Sequence, residues 1–115
     1  MARFETWLEQ DLNSPVCVRQ LPGDLFRQDS QGNLIGVNVT KDGESVTLAG
    51  TVIGYVILPD KTTITVSGTR SGNTAYIVLP GTAYAQAGPV SITIKLTDGN
   101  EILTLAAVQG YIQAA

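Results

Sequence analysis

Residues 89–96 read Pro-Val-Ser-Ile-Thr-Ile-Lys-Leu. Val90, Ile92, Ile94 and Leu96 alternate with Ser91, Thr93 and Lys95, so one face of the extended chain is aliphatic and the other hydroxylated or charged. Successive strand side chains point to opposite faces, and the stretch therefore predicts a strand with one face on a core and one in water. The residues before it, Gly50–Leu58, Thr62–Gly68 and Asn73–Leu79, read as three more strands. Their alternation predicts a core containing Val90, Ile92, Ile94, Ile77, Leu79, Ile64 and Val66, with Ser91, Thr93 and Lys95 left outside it. Thr51–Leu58 is apolar on both faces and fits a central strand.

The connections carry turn chemistry. Lys41-Asp42-Gly43-Glu44 contains the Asp-Gly pair that suits the positive φ values of a type I′ turn. Pro59-Asp60-Lys61, Ser71-Gly72-Asn73 and Thr97-Asp98-Gly99-Asn100 are further tight turns. The Ala-rich piece after Pro80 predicts one helical turn that crosses between sheets and stops at Gly88, with the Tyr84 ring beneath it. Towards the N-terminus, Pro15–Gln20, Leu34–Thr40 and Ser45–Leu48 read as short strands, and Leu25–Asn33 as a loop. Ile102–Ile112 is a final long strand, apolar at both odd and even positions. About seven or eight short strands at this spacing predict an all-β, antiparallel sandwich of immunoglobulin-like type.

Residues 1–13 differ from the rest. Phe4, Trp7, Leu8 and Leu12 recur at helical spacing opposite Glu5, Glu9, Gln10 and Asp11, which predicts a short helical N-terminal arm before a sandwich domain spanning 14–115. Phe4, Thr6 and Leu8 also fit a strand. Two readings stay open: the arm folds onto its own sandwich, or it docks on a neighbouring subunit.

Composition narrows the function. The 115 residues are 43% hydrophobic and only 15% charged, with a net charge of −3, and the seven basic residues are scattered singly. Nucleic-acid affinity depends on clustered Lys and Arg, so a phosphate-binding surface is not expected. No stretch approaches a membrane helix, and the N-terminus lacks a signal peptide's apolar run. Cys17 is the single cysteine, flanked by Val16 and Val18, and reads as a small buried apolar residue. With no histidine in the chain, a Ser-His-Asp triad or a Cys-His pair is impossible, and the commonest metal ligand is missing. Asp98, Asn100 and Glu101 read as a hairpin turn rather than calcium ligands. The expectation is no catalytic residue, no metal and no cofactor. The tyrosines, Tyr76 above all, offer a carbohydrate platform or packing within the sandwich.

One resemblance covers most of the chain. Gly50, Thr51, Val52 and Gly54 form a "G-T-V-x-G" opening, and Leu58, Pro59, Asp60 and Thr62 an "L-P-D-x-T" hairpin. Ser71, Gly72, Asn73, Ala75, Leu79 and Pro80 form "S-G-N-x-A-x-x-x-L-P", followed by an Ala/Gly corner and the Val90–Leu96 strand. In these features the chain resembles the immunoglobulin-like N-terminal domains of baseplate upper proteins of phages and prophages of Gram-positive bacteria, and related phage fibre and head-fibre proteins. The resemblance implies a virion part, made in the bacterial cytoplasm, that holds position by contacts with other virion proteins. It also implies a homo-oligomer, a trimer being favoured. The rival reading is a receptor- or carbohydrate-binding module. The residues expected at a protein interface are Phe4, Trp7, Leu8 and Leu12 on the arm and Leu103 and Leu105 on the final strand.

Overall fold

The computed structural model describes residues 4–16, 18–20, 33–84 and 86–112. Its strands are β1 (Phe4–Asp11), β2 (Val18–Gln20), β3 (Asn33–Lys41), β4 (Glu44–Ser45) and β5 (Thr51–Ile57). They continue as β6 (Thr63–Ser67), β7 (Thr69–Ser71), β8 (Thr74–Val78), β9 (Gly88–Asp98) and β10 (Glu101–Ile112). Sheet A has the order β1-β3-β8-β7, with β4 also on β3; sheet B has the order β2-β10-β9-β5-β6. The two sheets face each other as a β-sandwich of immunoglobulin-like type. The Cys17 and Tyr84 side chains and the loop expected before Asn33 lie outside the described residues.

The alternation read from 89–96 sets the core. Val90, Ile92 and Ile94 are 1–2% exposed, while Ser91, Thr93 and Lys95 are only partly covered. Against them stand Ile35, Val37 and Val39 of β3 and Ala75 and Ile77 of β8, all essentially inaccessible. Ile64 and Val66 pack against this core but stay half-buried, because β6 is an edge strand. A buried Ile or Leu contributes about 1.5–3 kcal/mol relative to exposure.

The structure corrects three expectations. The first is the helix at 1–13. Residues 4–11 form a strand paired in parallel with β3, from Phe4↔Asn33 to Asp11↔Thr40. So short a helix is marginal in water, whereas pairing satisfies the backbone groups of β3 on that side. Strand geometry then turns Leu8 and Gln10 inward and Glu5, Trp7 and Glu9 outward.

The second correction is the purely antiparallel topology. β1 on β3 and β2 on β10 are both parallel pairs, and β2 shrinks to three residues.

The third concerns the final strand. Its register shifts between Thr104 and Ala106, so Leu105 and Ala106 both point inward, at 0% and 5% exposure. The bulge reverses the parity halfway along. That explains apolar residues at odd and even positions without requiring two buried faces.

Turn geometry follows the residues. Asp42 and Gly43 both have positive φ, 53° and 84°, as a type I′ turn requires. Gly72 and Gly99 are positive alone, the pattern of type II′ turns. A helical turn does cross from sheet A to sheet B at Gly81–Tyr84, in 3-10 form. Another crossing lies at Gly68, where the chain leaves β6 in sheet B for β7 in sheet A. A Cβ there would lie 2.5 Å from Val52 and 2.9 Å from the Tyr76 carbonyl oxygen, so only glycine passes this close.

Candidate interaction surfaces

The expected interface residues divide among three places. Trp7 lies on the outer face of sheet A and is 42% exposed. It pairs with Gly36, whose missing side chain admits the indole: a Cβ there would be 2.3 Å from the ring. The ring meets Tyr76 edge-on at a centroid distance of 6.2 Å, and its Nε1–H donates to Glu5 Oε1 at 2.9 Å. Such aromatic pairs add about 0.5–1.5 kcal/mol beyond area burial. The Phe4 side chain lies outside the described residues, although its backbone pairs with Asn33.

Leu12 and Leu103 come together at one end of the sandwich. With Val46, Leu48 and Leu96 they line a cleft of about 220 Å³ that also touches Asp98 and Glu101. Leu8 packs against the core, and Leu105 is wholly inside it, so Leu105 has no side-chain surface to offer a partner. Sequence reasoning missed Val18, Ile57, Val78, Ile102 and Tyr111, all 40% exposed or more. Their signal is positional: each falls on the outward parity of its strand, which becomes readable only once neighbouring strands and the bulge are known.

A polar cleft of about 620 Å³ is bordered by Glu9, Asp11, Asn38, Thr40 and Asn73. Much of its polarity serves the fold. Asp11 accepts hydrogen bonds from the Asn13 N–H (2.9 Å), the Gly43 N–H (2.9 Å) and Thr40 Oγ1 (3.0 Å). The Asn73 amide donates to the Val39 carbonyl, and Gln10 Nε2 donates to the carbonyls of Asp11, Ser14 and Pro15. Gln10 is a buried polar side chain because it holds the chain where it leaves sheet A for sheet B.

The Asn13 and Gly43 N–H groups, in that order, hold the Asp11 carboxyl down at about 2, from an ordinary 3.8. A folded-state value below the unfolded one adds stability that is complete above about pH 5 and is lost as pH falls toward 2. Asp11→Asn is therefore expected to lower the urea midpoint at pH 7, with the gap to wild type closing between pH 5 and pH 2. Denaturation curves across that range check it; a gap independent of pH contradicts it.

Among the described residues no three Cys, Asp or Glu side chains gather in a metal-binding group, and no helix is long and apolar enough to cross a membrane. The molecule is a β-sandwich that exposes aromatic and aliphatic patches. A search of the solved structures finds the same fold in the N-terminal domain of phage TP901-1 ORF48, with a TM-score of 0.50 at 11% identity, covering 96% of this chain and 98% of that one. No protein-family model matches the sequence, and no curated protein does.

Proposed function

We propose that this chain is a structural domain of a tailed-phage or prophage virion, a component of the baseplate, tail or a capsid-attached fibre or decoration, acting through protein–protein contacts. The observation that carries the reading is a shared fold, end to end, with a phage protein's N-terminal domain. It agrees with the motifs in Gly50–Leu96 that resemble phage baseplate domains. The outward residues suit such a role: Trp7 and Tyr111 are aromatic residues of the kind enriched at protein interfaces, and Val18, Ile102 and Leu103 add exposed apolar area. The proposed partners are other virion proteins and further copies of the chain, with no catalysis, nucleic acid or membrane involved.

A saccharide-binding reading has the Trp7–Tyr76 pair and the polar cleft in its favour. It is the weaker one, because Asp11, Thr40 and Asn73 already spend hydrogen-bonding capacity within the fold. Mass spectrometry of density-purified particles, together with immunogold labelling, tests the virion role. The chain is expected in intact particles at a fixed ratio to the major capsid protein. Its absence from particles overturns the proposal.

A further inference from the structure

The two outer faces of the sandwich differ in charge. On sheet A, Glu5, Glu9 and Asp11 of β1 all point outward. On sheet B the parity of β9 passes by register to every neighbour, giving outward rows such as Val18–Ala107–Thr93–Tyr55–Thr65. From the row through Thr97 to the row through Pro89, the charged residues of this face are Lys95 on β9 and, at one edge, Lys61, which lines a cleft with Ile57, Ser91 and Tyr111. The Lys95 ammonium lies 5.4 Å from the centre of the Tyr55 ring, a favourable cation–π distance. The same face carries Val18 (60% exposed), Ile57 (41%), Ile102 (68%) and Tyr111 (53%).

We infer that the outer face of sheet B is a homotypic interface, on which a second copy of this chain packs face to face across a twofold axis. This deepens the proposed structural role and rests on it for its biological use. Three arguments select the occupant. The first is charge. A face with two cations, one engaged by its own ring and the other at the edge, meets an identical face with little repulsion at its centre, whereas a partner chosen by charge would find little there to pair with. The second is area. Five strands about 4.8 Å apart and five rows about 6.8 Å apart span roughly 19 by 27 Å, or some 520 Å² between the outermost backbones. That is roughly two-thirds of the 800 Å² or so per partner of a standard interface, before side chains beyond the outermost strands and rows are added. The third is symmetry. A broad sheet face meeting its own copy is isologous and closes at two, unlike the ring of three that the family resemblance implies.

Thr93 sits at the centre of the face, on the middle strand and in the middle row. The experiment is sedimentation velocity on the full chain at about 100 µM, well above a micromolar dissociation constant. Wild type is expected at twice 12.1 kDa. Thr93→Glu places like charges at the axis and is expected to weaken association at least tenfold, leaving monomer with unchanged circular dichroism. Thr74→Glu on the opposite face should leave the dimer intact. Mixing Thr93→Glu with Thr93→Lys should restore the dimer, a result that a merely structural role for Thr93 does not give. If Thr93→Glu fails to fold, Ser91→Lys replaces it as the like-charge variant. A wild-type monomer or trimer overturns the inference, as does a like-charge variant that stays dimeric, a Thr74→Glu variant that does not, or a charge-swapped pair that stays monomeric. Those results leave the presence of the chain in particles unaffected, so the two proposals fail separately.

Discussion

Replacing Gly50 by alanine is expected to cost about 3 kcal/mol or more, a large share of the roughly 5–15 kcal/mol that hold a domain of this size together. Gly50 leads into β5 with φ of 107°, a conformation that L residues rarely adopt. A Cβ at this position would lie 2.2 Å from the carbonyl oxygen of Thr97 and 2.9 Å from its carbon. Those atoms belong to the backbone of β9, which is fixed on both sides by β5 and β10, so no rotamer change relieves the overlap. Gly72 is the matched control. It also has positive φ, 59°, but nothing lies within 4 Å of its Cβ position. Gly72→Ala should therefore show backbone strain alone, about 1–2 kcal/mol. Urea midpoints of the two variants separate the terms; equal losses would show that the contact with Thr97 is not what makes Gly50 necessary.

Ile77→Ala is expected to cost about 4 kcal/mol, within the usual 2–5 kcal/mol for such truncations. Ile77 is 1% exposed and fills a recess made by Gly54 of β5 and Gly68 at the β6–β7 crossing. Its Cδ1 would be 2.6 Å from a Cβ on Gly54, and its Cγ2 3.1 Å from one on Gly68. The recess is shaped for this side chain, so the surrounding backbone has little freedom to close after truncation. The converse change, Gly54→Ala, should overpack the same recess and cost about 1–3 kcal/mol. Combining Gly54→Ala with Ile77→Val should cost less than the sum of the separate changes, because the smaller side chain makes room for the added methyl. A coupling of at least about 0.5 kcal/mol in a double-mutant cycle is the expected reading. Strict additivity would mean that the two residues do not share the space.

These two sites also mark how far the sequence could be read. The alternation at 90–96 was legible because it is local: each neighbouring side chain reports the face of the next. Gly50 was visible as part of a motif, but its reason, a carbonyl of Thr97 on another strand, is not local. The same limit explains β1. Phe4, Trp7, Leu8 and Leu12 mimic a helical stripe, while the inward Gln10 disguises the strand pattern. Only the distant partner β3 and the carbonyls held by Gln10 give that polar residue an inward place. Gly68 looked like the end of a strand and is a passage between sheets. Among the candidate surface residues, Leu103 and Leu105 share a parity in the sequence, yet one lines an open cleft and the other is fully enclosed. Distance along β10 from the end of the sandwich separates them, and no local pattern encodes that.

The two parallel pairings set a schedule for acquiring this structure. β2 lies beside β10, and the hydrogen bond from Gln20 to Gln109 spans 89 positions along the chain. Closing so long a loop costs entropy before any contact repays it, which places the protein among slow-folding topologies, on the millisecond-to-second scale. During synthesis β1 and β2 emerge early, but β2 has no partner until β10 has been made and has paired with β9. Arg19 Nη2, which donates to the Glu9 carbonyl at 2.7 Å, fastens β2 to β1 across the two sheets. The three-residue β2 thus covers part of the β10 edge, which a chain lacking it would leave open to other chains.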